Sequence, residues 1–245
     1  MNSELTIVIP LLNKNKKIIP QLTELSLALV KFSINAEVIL ITQKEEFHLD
    51  LREYQEVVSP PLLKLRAVTT VQGSARLGRL LRIGTSISDS RFVLYFIPED
   101  KFDFQFIPKA LSLLRSGSTL VLANRFHIEN RDKRGAHPIF LKQKILRKVF
   151  LLAGASNLPK DFTNSSRMFD KYIFDALAIS GNSWDMLAEQ AIKCSLAGAK
   201  VDLIDVLIND FNTENDFKVS FSEALLGILR LFPRTLMHKR KIPWF

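Results

Sequence analysis

Leu5-Thr6-Ile7-Val8-Ile9-Pro10 (LTIVIP) is the stretch whose reading decides the fold. It is β-branched and apolar at almost every position, too short for a helix and too continuous for an edge strand. It therefore predicts a strand buried on both faces of a parallel sheet. Outward from it, residues 13–17 form a loop, and Ile18, Leu22, Leu25 and Leu29 recur at helical spacing over 18–32. Residues 37–41 (EVILI) then form the next strand, which completes a right-handed βαβ unit. The alternation continues with strands at 65–70, 91–96 and 118–123 and helices at 74–87 and 106–115. Helices at 139–152 and 184–197, a strand at 200–207 and an amphipathic helix over 220–237 follow. Such a series predicts an α/β fold, an open, mostly parallel sheet covered by helices on both faces.

Composition narrows the partners. The 245 residues carry 34 Lys plus Arg against 25 Asp plus Glu, a formal charge of +9, and 47% are apolar. That apolar share is ample for a buried core and excludes a disordered chain. A single cysteine, Cys194, excludes an intramolecular disulfide framework. No apolar run reaches the roughly 18 to 20 residues of a spanning helix, and Met1 to Glu4 has no basic leader character, so the expected location is cytoplasmic.

The positive charge concentrates between residues 125 and 148, where Arg125, Arg131, Lys133, Arg134, Lys142, Lys144, Arg147 and Lys148 face only Glu129 and Asp132. Phosphate, nucleic acid and an anionic membrane surface are the partners that this excess admits. No RRM, zinc finger or other nucleic-acid module is present, so nucleic acid is not the expected partner. Both the P-loop and the GxGxxG fingerprint are also missing, which counts against P-loop kinases, ATPases and Rossmann dehydrogenases.

In order and spacing, these features resemble the family 2 glycosyltransferases of the GT-A fold. Ile7 to Pro10 with Asn13 is similar to their opening strand, Gly78, Arg82 and Gly84 to their Gly-x-x-x-Arg-x-Gly helix, and RFVLYFIPED (91–100) to the strand that ends in a metal-binding Asp-x-Asp. VLANR (121–125) and DFTNSSRMF (161–169) resemble later segments, the second typical of the dolichol-phosphate mannosyltransferase-like branch. The resemblance implies a nucleotide-sugar-binding half over 1–124, an acceptor-binding half of the same domain over 125–215, and an amphipathic basic tail over 216–245. It implies a nucleotide-sugar site at Pro10, Asn13, Thr42, Gln43, Gly78, Arg82 and Glu99, with Asp161 and Arg167 as catalytic residues. A divalent metal, Mg2+ or Mn2+, would be held by Glu99 and Asp100. Two departures stand out: Thr42-Gln43 replaces the first Asp-Asp pair, and Ile97 replaces the first aspartate of Asp-x-Asp.

Transfer from a nucleotide diphosphate sugar needs its leaving phosphates neutralised, and a neutral acceptor hydroxyl also needs a general base. A lipid-phosphate acceptor, such as a polyprenyl phosphate, is already anionic and needs none. Arg125, Arg131, Arg134 and Arg167 suit the clamping of phosphates. The expected function is thus an inverting glycosyltransferase acting on a lipid-phosphate or glycan acceptor, in polysaccharide or glycolipid biosynthesis. The alternative is a catalytically weakened GT-A domain that binds or scaffolds.

Bland readings compete at several positions. Glu99-Asp100 also reads as a solvated turn, Asp161 with Arg167 as a structural ion pair, and Asn13 as a turn residue. Metal binding by His127 or His137 is disfavoured, and the Trp184, Leu187, Ala191 stripe and Cys194 read as core. At the C-terminus, Leu225, Leu226, Ile228, Leu229 and Phe232 alternate with Arg230 and Arg234 ahead of Lys239-Arg240-Lys241 and Trp244-Phe245. That pattern reads either as a peripheral membrane helix or as a helix docked on the domain with a basic tail.

Overall fold

Every residue of the first strand, β1 (Leu5–Leu11), is buried, as its apolar run requires. A computed structural model describes residues 3–11, 18–43, 63–70, 76–97, 102–125, 138–206 and 229–233. Within them six further strands follow: β2 (Ala36–Gln43), β3 (Leu63–Thr70), β4 (Phe92–Tyr95), β5 (Leu120–Asn124), β6 (Arg167–Asp170) and β7 (Val201–Asp205). The helices are α1 (Ile18–Lys31), α2 (Leu77–Ser86), α3 (Phe106–Arg115), α4 (Pro138–Leu152), α5 (Lys171–Ala176) and α6 (Asp185–Leu196).

The strands form one seven-stranded sheet in the order β3-β2-β1-β4-β6-β5-β7. All pairs are parallel except those made by β6, which runs antiparallel to both β4 and β5. Sequence periodicity missed β6 and α5: each is one short element, and four strand residues are too few to display an alternation. Because β6 comes from beyond residue 125 and lies between β4 and β5, the two expected halves share a single sheet.

Two apolar layers cover the sheet. Alternation along β1 sends Val8 to the layer formed with α2, α4, α5 and α6, and Ile7 and Ile9 to the layer formed with α1 and α3. The approach of α2 to β1 is close: a Cβ at Gly84 would lie 2.4 Å from Val8 Cγ1. Leu187, Ala191 and Cys194 of α6 are buried as core residues, and burial pushes the Cys194 thiol up to about 12. At the start of α3, Asp103 Oδ1 accepts from Gln105 N at 2.9 Å, the turn role expected of this residue.

Of the predicted C-terminal helix, residues 229 and 231–233 are described and helical. Leu231 and Phe232 pack on the core, with the Phe232 ring 6.2 Å from that of Phe150 and nearly edge-on. This part of the apolar face therefore lies on the domain, as the docked alternative requires. Among the described residues, no helix is long and apolar enough to cross a membrane.

Candidate functional site

Strand order reverses at β1, with β2 and β3 on one side and β4 on the other. In open α/β sheets, ligands bind beyond the carboxyl ends of the strands at such a switch point. Pro10 marks where the sheet opens. Val8 O accepts from Phe96 N on the β4 side, so the backbone of Pro10, two residues on, turns to that same side, beyond the last β1–β4 pair at Val8 and Tyr95. An absent N–H costs nothing there, which explains a proline in a central strand. Pro10 itself is buried and remains in register with Ile41. The segments leaving β1 and β4 carry Asn13, Glu99 and Asp100, which lie outside the described residues, as do Arg131 and Arg134.

A built cluster stands at the same edge, beyond β5. Asp161 has no solvent exposure, and its two carboxylate oxygens accept five hydrogen bonds. Oδ2 takes the backbone N of Arg125 at 2.8 Å, Arg125 Nε at 2.9 Å and Asn164 Nδ2 at 3.3 Å. Oδ1 takes Arg125 Nη2 at 2.7 Å and Gln143 Nε2 at 3.0 Å. Burial alone would raise the pKa of Asp161, but the Arg125 charge and these donors more than offset it and hold the carboxyl below its ordinary value. Asn164 also donates from Nδ2 to Ala123 O at 2.7 Å, lacing the 161–166 loop to the end of β5. With its acceptor capacity used, Asp161 serves to position Arg125, whose side chain remains 25% exposed.

Arg167 is the surprise of the site. The sequence reading placed it on phosphate or opposite Asp161, yet it is 0% exposed and its N–H groups end on Asn164 O, Phe162 O, Leu187 O and Gln190 Oε1. All five guanidinium donors are used, and the ion pair of Asp161 is with Arg125 instead. Register explains the burial: Arg167 opens β6 directly across from Tyr95 on one side and Leu122 on the other, inside the sheet. Burial lowers its pKa to about 10, so it stays protonated at neutral pH.

Other expected nucleotide contacts, Thr42, Gly78 and Arg82, make contacts within the fold. Thr42 is fully buried and donates its hydroxyl to Leu11 O at 3.2 Å, tying the ends of β1 and β2, while Gln43 closes β2. Gly78 and Arg82 face the 180–183 loop: Arg82 Nη1 donates to Ser180 O, and Arg79 N donates to Asn182 O at 3.1 Å. A Cβ at Gly78 would fall 2.5 Å from Ser183 O and 2.8 Å from the Asn182 carbonyl carbon. Gly78→Ala should therefore cost about 1–3 kcal/mol, read as a lower urea midpoint. An unchanged midpoint would mean that α2 and the loop are not in contact.

Gln143, Asn164 and Gln190 are the site residues that sequence reasoning missed. Asn164 alone carried a local signal, three residues after Asp161 in the same turn. The described residues contain no group of three His, Cys, Asp or Glu side chains able to hold a metal ion.

Sheet order and the antiparallel β6 define the class: this is the GT-A glycosyltransferase fold. Among solved structures, the chain is similar to glucosyl-3-phosphoglycerate synthase from Mycobacterium tuberculosis. The complex of that enzyme with Mn2+, uridine-diphosphate-glucose and phosphoglyceric acid superposes with a TM-score of 0.64 at 14% identity, covering 99% of this chain and 81% of the other. Its complex with uridine-diphosphate gives 0.64 at 13% identity, with 99% and 82% covered. No family model matches the chain, and no curated protein matches it in sequence.

Proposed function

We propose that this chain is an inverting glycosyltransferase that moves a sugar from a nucleotide diphosphate sugar to a phosphate-bearing or glycan acceptor. The observation that carries the reading is Arg125, a partly exposed side chain whose guanidinium is anchored through Nε and Nη2 by buried Asp161 at the ligand-binding edge of a GT-A sheet. Such an anchored cation suits a phosphate. Asp161 accepts five hydrogen bonds and so cannot act as a general base. That favours an acceptor whose oxygen is already anionic, such as a polyprenyl phosphate; the free hydroxyl of a phosphoglycerate-like acceptor would need a base other than Asp161. Arg131 and Arg134 follow Arg125 in the same basic stretch and would extend the clamp. Glu99 and Asp100 would hold Mg2+ or Mn2+, which neutralises the leaving diphosphate. A solved structure similar to this chain, which holds Mn2+ with UDP-glucose, supports the donor class.

A second reading, a GT-A domain that binds without transferring, is favoured by Ile97. It is 2% exposed and apolar where the resemblance expects a metal-binding aspartate. Calorimetric titration of UDP, UDP-glucose and GDP-mannose with and without Mn2+, together with a product assay, separates the two. Metal-dependent binding should weaken about tenfold or more in Glu99→Ala, the scale of one lost charged ligand contact. An unaltered affinity removes Glu99 from the site, and binding without turnover supports the second reading.

A further inference from the structure

Helix α4 carries Lys142, Lys144, Arg147 and Lys148 and no acidic residue. Its inward face is occupied by Gln143, Leu146 and Phe150, and Arg147 turns back to donate from Nε to Leu158 O at 2.9 Å and Pro159 O at 3.2 Å. On the outward face, Lys144 and Lys148 are exposed beside Ile145 at 54% and Leu152 at 77% exposure. With about 100° of turn per residue, these four side chains share an arc of roughly 100°. A contrast is offered by α1, where exposed Leu27 and Val30 sit between Glu24 and Lys31, charges of both signs. Of these two helices, it is α4 on which exposed apolar surface coincides with charge of one sign.

Phe232 packs on Phe150, on the inward face of α4. The stretch after it in sequence carries Arg234, Lys239, Arg240, Lys241, Trp244 and Phe245, which lie outside the described residues. Lysines reach headgroup phosphates while their stems and the aliphatic side chains between them enter the acyl boundary. Each cation adds attraction to an anionic leaflet, and the attraction is screened by salt.

We propose that the Lys144, Ile145, Lys148 and Leu152 face of α4 docks the protein on an anionic membrane surface. This contact is structured within the fold and distinct from any contribution of the C-terminal tail. It stands apart from the glycosyltransferase reading, since none of the four side chains belongs to the Asp161 cluster.

Co-sedimentation of the full chain with phosphatidylcholine vesicles, with and without phosphatidylglycerol, tests it. The variants are Ile145→Glu with Leu152→Glu, Lys144→Glu with Lys148→Glu, and a chain lacking residues 234–245, each checked for native circular dichroism. Binding is expected only with phosphatidylglycerol, should fall with added salt, and should drop about fivefold or more in either double variant. Nucleotide affinity should not change in either. Failure of the wild-type chain to bind, or undiminished binding by both double variants, overturns the proposal. So does loss of all binding on deletion of 234–245 while the α4 variants bind normally. A concentration-dependent dimer abolished by Ile145→Glu with Leu152→Glu would also overturn it, by giving the face to a second copy.

Discussion

Arg167→Met should destabilise the fold strongly. The substitution keeps much of the side-chain volume but strips the donors from Phe162 O, Asn164 O, Leu187 O and Gln190 Oε1, all held by a fully buried guanidinium. Each orphaned buried acceptor costs about 1–3 kcal/mol. Leu187 O keeps its helical partner and removing a desolvated cation works the other way, yet the remaining acceptors left dry outweigh both. A net loss on the order of 4 kcal/mol is a large part of the 5–15 kcal/mol typical of a domain. Arg167→Lys, with three donors for five, should fall between the two. Urea unfolding measures both. A stable Arg167→Met protein that had lost only nucleotide affinity would return Arg167 to the ligand site.

Asp161→Ala should destabilise by about 3–5 kcal/mol, because it leaves Arg125 and Gln143 facing a vacated buried site and removes one tie of the loop to the chain leaving β5, the bond from Arg125 N. The pH dependence has a defined sign. A carboxyl held below its ordinary value in the folded state contributes stability at neutral pH, and that stability is lost as pH falls from its unfolded value through its folded one. Wild-type stability should therefore decline below about pH 4, and Asp161→Asn should be weaker at pH 7 with a flatter acid limb. Urea midpoints at pH 7 and pH 3 give both quantities. An acid limb unchanged in Asp161→Asn would show that the charge of Asp161 is not what secures Arg125. Phosphate binding, if Arg125 supplies it, should weaken with the same substitution, since the guanidinium loses its anchor.

Much of the architecture was legible in local pattern. LTIVIP reads as a buried strand because β-branched residues on both faces leave no solvated side, and α1, α3 and α6 appear within two residues of their predicted bounds because their apolar stripes repeat over about three turns or more. Asp161 and Arg125 stood out as candidate residues, but their relation did not. They are separated by 36 positions, and no periodicity links a strand exit to a turn so far along the chain. Gly78 and Gly84 looked like a nucleotide motif, and they prove to be places where a loop backbone and the Val8 side chain need the room of a missing Cβ.

By itself, then, the sequence determined the order and type of the long elements, the basic stretch from 125 to 148 and the burial of Cys194, because hydrophobic period and charge are properties of neighbouring residues. Tertiary structure alone decided that β6 enters antiparallel between β4 and β5, that Arg167 is thereby sealed among carbonyls, and that Asp161 is paired with Arg125. The physical reason is common to all three. A buried charge takes whichever partner the packed fold brings within hydrogen-bond reach, and that choice is made across the sheet rather than along the chain.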